Sequence, residues 1–373
     1  MTLPMLVLYA TSTLGPLLSS DLHFDPTLLG YLIMSSFGFA AVLSLWAGAI
    51  VDYLGSRYSL LVLFCSVGLA FTLIAVVESF YSLLIAAAIC GIAQALANPV
   101  TNLLIAQQVP PEKKASIVGL KQAGVQLAAL IAGLILPTIA MQYGWRVAYG
   151  IIVPITIFFC LSVSSVTPKK HIRTRTRLKL LPPNSLLLRL MMIQFLIGTS
   201  LSAFVTYLPT FAIQQNMALP LADTLIAVFG VMGMISRIVL TPMGAKLKDE
   251  SLLLFMLAAI AAVSMAITMN AAPDSHWQLW AGAIGVGLTA VATNAIAMSM
   301  LIRDPAFGPV TFSSGFVSVA FFAGFALGPP LFAVVSIYSE DLLVSWNTLI
   351  GILLLACVMT IALASARRHK VEH

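Results

Sequence analysis

Twelve long apolar runs separated by short polar interruptions constrain this chain more than any other feature. They fall at roughly 3–20, 27–50, 58–77, 80–107, 115–141, 146–166, 186–212, 220–244, 251–270, 276–301, 310–336 and 342–366. A membrane-crossing helix needs about 20 apolar residues, so twelve crossings use about 240 residues and leave about 130 for connections and tails. A large extramembrane domain does not fit. Composition agrees, with 60% hydrophobic and 9% charged residues, against about 25% charged in a soluble domain. A soluble globular fold is ruled out. Barrel strands would appear as alternating segments of about ten residues, whereas these runs are longer and apolar on most faces. The expected class is an all-α membrane protein. The first run, Leu3 to Leu18, has no basic residues before it and reads as a span rather than a signal peptide.

The placement of positive charge predicts orientation. With the N-terminus inside, sixteen of the nineteen Lys and Arg residues fall on the cytoplasmic side, and only Arg146 falls outside. The positive-inside rule then predicts a multi-pass protein of the cell inner membrane with both termini cytoplasmic. The basic stretch 167–185 is the longest polar segment and divides the spans into 1–166 and 186–373. It reads as a topology-setting linker. A net charge of +6 is therefore a topology signal, and nucleic acid is not an expected partner because no soluble basic surface exists.

The two halves repeat at one offset. Gly48 and Gly244, Gly91 and Gly287, Asn98 and Asn294, and Gly119 and Gly315 are each 196 residues apart. Two homologous six-span halves in parallel arrangement account for this, and such a duplication places a binding site near the midplane between them.

The connection after the second run reads GAIVDYLGSRYSL, with Gly48, Asp52, Gly55 and Arg57 in a G-x-x-x-D-x-x-G-x-R pattern. Gly48 suits close helix packing, Gly55 a tight turn, and Asp52 and Arg57 charge pairing near the inner face. The pattern and its place resemble the signature loop of the major facilitator superfamily. The second copy, GAKLKDESL from Gly244, has Lys248 in place of the aspartate. The stretch GLKQAGVQLAALIAGLILP and the later GWRVAY are similar to cyanate-permease-like and organic-anion carriers of that superfamily. The resemblance implies twelve helices in two pseudo-symmetric six-helix bundles, secondary transport by alternating access, and a cytoplasmic latch from Gly48, Asp52, Gly55 and Arg57.

Within the spans the ionisable inventory is short. All thirteen acidic residues lie in connections, span ends or the tail, while Lys121 and Arg237 lie inside spans 5 and 8. A charge there costs about 2.5–3.5 kcal/mol on insertion scales and is a functional hypothesis by default. Each lies about 10 Å inside the cytoplasmic edge at a rise of about 1.5 Å per residue. On a helical wheel Gly230, Gly233, Thr241 and Gly244 share the Arg237 face, and Gly124, Val125, Ala128 and Ala132 share that of Lys121. Two readings without transport chemistry compete: Lys121 can snorkel to headgroups, and Arg237 can bond backbone carbonyls. Two cations with no intramembrane acid favour an anion, and Arg237 resembles the span-8 arginine that binds carboxylate in oxalate and monocarboxylate carriers. A guanidinium holds a carboxylate through two parallel hydrogen bonds.

Gln94, Asn98, Gln122, Asn294 and Tyr207 complete the candidate substrate site, with Asn98 preferred over Gln126 because Gln126 points away from Lys121. Each also suits an interhelical hydrogen bond. The five histidines lie outside the spans, and the four cysteines lie singly in apolar runs. No metal site, cofactor, P-loop or hydrolytic set is expected, and hence no enzyme. The tryptophans read mostly as interfacial anchors. The expected protein is a monomeric secondary transporter of a small organic anion, a carboxylate, with membrane lipids as surroundings and a coupling proton carried on the substrate or a loop carboxylate. The alternatives are an exporter of amphipathic drugs or lipids, and a non-transporting receptor or assembly subunit.

Overall fold

The computed structural model describes residues 1–166, 183–244, 247, 249–308, 310–339 and 341–371. Most of the basic linker, and Lys246 and Lys248 of the second loop copy, lie outside the described residues. The helices are α1 (Thr2–Asp21), α2 (Leu29–Val76), α3 (Phe80–Gln108), α4 (Pro111–Tyr143), α5 (Trp145–Gly150), α6 (Ile152–Val166), α7 (Ser185–Gln214), α8 (Leu219–Gly244), α9 (Glu250–Met269), α10 (Trp277–Arg303), α11 (Val310–Ser339) and α12 (Leu342–Val371). Among the described residues there is no strand beyond one isolated bridge, Ala272 to Ser275.

Among the described residues, eleven helical stretches are long and apolar enough to cross a bilayer, and one of them runs 51 residues from Pro26 to Val76. That stretch is two spans. Its interior breaks at Gly55, where φ is 78° and ψ 166°, a region essentially closed to residues with a Cβ. Its two ends also lie on the same face. Arg146 donates to Asp21 at 2.6 Å and to the Val77 carbonyl at 3.3 Å, and the Phe24 and Phe80 rings are 5.0 Å apart. The chain therefore reverses at Gly55, giving twelve crossings. The sixth is made of two pieces, α5 and α6, rather than one continuous helix.

The internal repeat recurs as packing. A Cβ on Gly91 would run into the Ser36 carbonyl, and one on Gly287 would meet Met232 Cβ at 3.0 Å. Met232 follows Ser36 by the same 196 residues that separate the two glycines. Contacts between the halves follow the same rule. Gly30 on α2 abuts Pro329 on α11, and Gly133 on α4 abuts Ala227 on α8; Pro329 follows Gly133 by 196, and Ala227 follows Tyr31, the neighbour of Gly30, by 196. Two crossed helix pairs, α2 with α11 and α4 with α8, thus join the bundles through small residues that let backbones approach.

Apolar side chains also cover the outside, with Leu161 75% and Val358 60% exposed, as a lipid solvent requires. Inside, hydroxyls such as Thr206 and Thr360 return to carbonyls four residues back on their own helices. Trp346 departs from the interfacial expectation. It is fully buried against Phe204, Phe211 and Phe332, because the span starts beside three aromatic neighbours that cover the indole.

Gly48 also departs from expectation, since nothing lies within 4 Å of where its Cβ would be. It is Gly55, not Gly48, whose lack of a side chain the fold uses. The second half carries its own charge cluster at the corresponding face. Arg367 on α12 pairs with Asp249 at 3.0 Å, Glu250 at 3.5 Å and Asp304 at 3.2 Å.

Candidate functional site

Arg237 is 7% exposed on α8. Its Nη1 donates to the Gln122 carbonyl on α4 at 2.5 Å, and its Nε to the Val291 carbonyl on α10 at 3.4 Å. The glycines on its face make this reach possible. A Cβ on Gly230 would lie 2.8 Å from that of Ala129, and one on Gly233 would lie 2.9 Å from Gln126 Cδ, so α8 lies almost backbone to backbone on α4. Both readings of Arg237 are therefore physically present: it bonds carbonyls, and it also lines a cavity. Among the described residues its Nη2 has no protein acceptor.

The cavity encloses about 660 Å³, including space open to solvent, and draws its walls from α1, α3, α4, α7, α8, α10 and α11. Arg237, Gln94, Asn98, Gln122, Gln126 and Asn294 face it together with Tyr9 and Ser318, and Phe321, Phe322 and Phe325 form an apolar wall. No Asp, Glu or His is among the lining residues. The structure thus brings five of the seven sequence-selected substrate residues to one space.

Lys121 and Tyr207 lie elsewhere. Lys121 donates to Asn102 Oδ1 at 2.6 Å and Asn98 Oδ1 at 3.2 Å, so it reaches the cavity only through Asn98. It remains close enough to Arg237 for the two charges to interact. Tyr207 is further along α7, on the Arg146 side, where its hydroxyl donates to the Thr27 carbonyl at 2.8 Å with the Pro329 carbonyl at 3.3 Å. It stacks on Phe332 and lines a separate cleft of about 350 Å³. Together with the Ser12 hydroxyl on the Val205 carbonyl, it ties the two bundles together beyond the cavity, while Phe37 meets Phe325 at the cavity wall.

The family model for the Major Facilitator Superfamily matches residues 2–329. The chain belongs to that superfamily. This facilitator is 28% identical over 153 residues to a protein of Bacillus subtilis (strain 168) named hexuronate transporter, covering 41% of this chain and 36% of the relative. It is 29% identical over 146 residues to a protein of Arabidopsis thaliana named probable anion transporter 4, chloroplastic, covering 38% of this chain and 27% of the relative. The matched part spans about a third of the length of these relatives.

Sequence reasoning ranked Gln126 below Asn98, yet the facilitator brings both to the cavity. Gln126 accepts the Tyr9 hydroxyl at 3.2 Å and packs on Gly233. A helical wheel centred on Lys121 misses this, because the face of α4 that meets α8 is the one carrying Gln126. Asp223, placed by sequence at a span end, is fully buried on α8 with its Oδ1 lacking a hydrogen-bond partner.

Proposed function

We propose that this facilitator is a secondary transporter of a small organic anion, a carboxylate, moved by rocking of the bundles 1–166 and 186–373. The observation that carries this reading is the Arg237 guanidinium in a cavity whose lining contains no acidic residue. With Nε and Nη1 held by carbonyls of α10 and α4, the group is preoriented, and its remaining N–H donors suit a carboxylate. Buried charge without a protein counter-ion is costly, and a bound anion relieves that cost. Lys121, held on Asn98, adds positive potential at one edge, while Gln94, Gln122 and Asn294 supply neutral hydrogen bonds. The names of the two relatives, hexuronate and anion transporter, support the same class.

In this reading the Gly55 face is cytoplasmic, as the positive-inside count suggests, and Tyr207 closes the opposite side. Asp52, Gly55 and Arg57 belong to the cytoplasmic latch. In this reading the protein acts as a monomer in the inner membrane. Counterflow in proteoliposomes with a panel of carboxylates and inorganic anions tests this. Saturable carboxylate exchange lost in Arg237→Ala is the expected result; exchange unaffected by that substitution overturns it.

The wall formed by Phe321, Phe322 and Phe325 favours a second reading, export of amphipathic compounds. Thermal stabilisation by neutral or cationic amphiphiles, with none by carboxylates, would select it.

A further inference from the structure

We infer that Gln94 reads a hydroxyl group on the substrate, so that the cargo is a hydroxylated carboxylate rather than a plain one. This rests on the anion reading of the same cavity and adds a second chemical requirement to it. Two lining amides are fully buried, Gln94 and Gln126, each 2% exposed. Gln126 Oε1 is occupied by the Tyr9 hydroxyl at 3.2 Å. Gln94 Oε1 is buried and has no donor.

The orientation of Gln94 follows from its other end. Nε2 donates to the Pro4 carbonyl at 3.1 Å, and a carbonyl oxygen only accepts. Flipping the amide would set two acceptors against each other, so the oxygen is the atom left over. The Asn98 oxygen, one turn along α3, is already taken by Lys121 at 3.2 Å. Two unmet demands of opposite kind therefore adjoin the cavity: Arg237 has donors without acceptors, and Gln94, a lining residue, has a buried acceptor without a donor. An unsubstituted carboxylate satisfies the first alone. A hydroxyl on the same molecule satisfies the second, and the positive potential of Arg237 disfavours an ammonium in that role. Sites built around a substrate hydroxyl discriminate strongly against analogues that lack it, because a buried polar atom is then left unpaired.

The test is ligand binding to the purified full-length transporter, with gluconate against hexanoate and lactate against propionate, in the wild type and in Gln94→Met. Gln94→Met keeps the length and volume of the side chain and removes the acceptor. The wild type is expected to bind the hydroxylated member of at least one pair about tenfold more tightly or better, with the preference falling below about twofold in the variant. Equal binding within both wild-type pairs overturns the inference, as does a preference that survives in Gln94→Met; the wild-type comparison stands even where the variant does not fold. Arg237→Ala separates the two levels. Anion binding that depends on Arg237 but ignores hydroxyls removes the Gln94 assignment alone, whereas binding indifferent to Arg237 removes the anion reading and this inference with it.

Discussion

Arg237 on α8 donates to the backbone carbonyl of Gln122, the residue that follows Lys121 on α4, at 2.5 Å. One hydrogen bond thus joins the two bundles and brings the guanidinium to the turn that carries the second intramembrane cation. Arg237→Lys should not preserve function, since a single ammonium cannot hold two carbonyls and a carboxylate in the guanidinium's planar geometry. Carboxylate affinity in the Lys variant should fall about tenfold or more, measured by titration of the purified protein.

Lys121 should matter less. It is held on Asn98 and Asn102 rather than facing the cavity, so Lys121→Met removes potential without removing a ligand contact. Affinity should fall by less than in Arg237→Ala, about tenfold at most for one charge at this remove. Equal losses in the two variants, compared in one titration series, would contradict this ordering.

Tyr207→Phe removes the hydroxyl that reaches the Thr27 carbonyl of the other bundle, with the Pro329 carbonyl of its own bundle alongside. The lost bond is worth about 1 kcal/mol and should shift the equilibrium about fivefold toward opening on that face. Ser336 lines the adjoining cleft, so faster thiol labelling of Ser336→Cys, with the native cysteines replaced, reports the shift. Carboxylate affinity at the cavity should change little.

Gly55→Ala should lower the melting temperature. The backbone at φ 78°, ψ 166° costs a residue with a Cβ about 1–3 kcal/mol. Gly48→Ala, where a Cβ meets open space, is the control and should melt close to the wild type in detergent.

Arg367→Gln leaves Asp249, Glu250 and Asp304 without their shared cation. Because Asp249 and Asp304 are partly exposed, water screens some of the repulsion, and a loss of about 1–3 kcal/mol is expected from breaking the cluster. Thermal unfolding checks it, with Arg368→Gln as the comparison.

The legible parts of this fold were those encoded in one stretch of chain. Run length showed the spans, and the G-x-x-x-D-x-x-G-x-R spacing marked the reversal at Gly55. The Arg367 cluster was not legible in that way. Its members come from residues 249, 250, 304 and 367, and the second copy of the loop pattern looked eroded. Among site residues, Arg237 stood out as a charge in an apolar run, whereas the rank of Gln126 against Asn98 was not legible, because a polar side chain on a buried helix can serve packing or binding equally well.

By itself the sequence determined twelve crossings, a duplication at an offset of 196 residues, and the presence of two intramembrane cations. Those properties depend on hydrophobic length and on residue type, which need no knowledge of neighbours. Only the tertiary structure decided that Arg237 lines the cavity while Lys121 turns to Asn98 and Asn102, and that Tyr207 bridges the bundles instead of joining the site. Helix rotation sets those outcomes. It is fixed by where Gly230 and Gly233 let α8 approach α4, a property of two surfaces meeting and not of either strip of sequence.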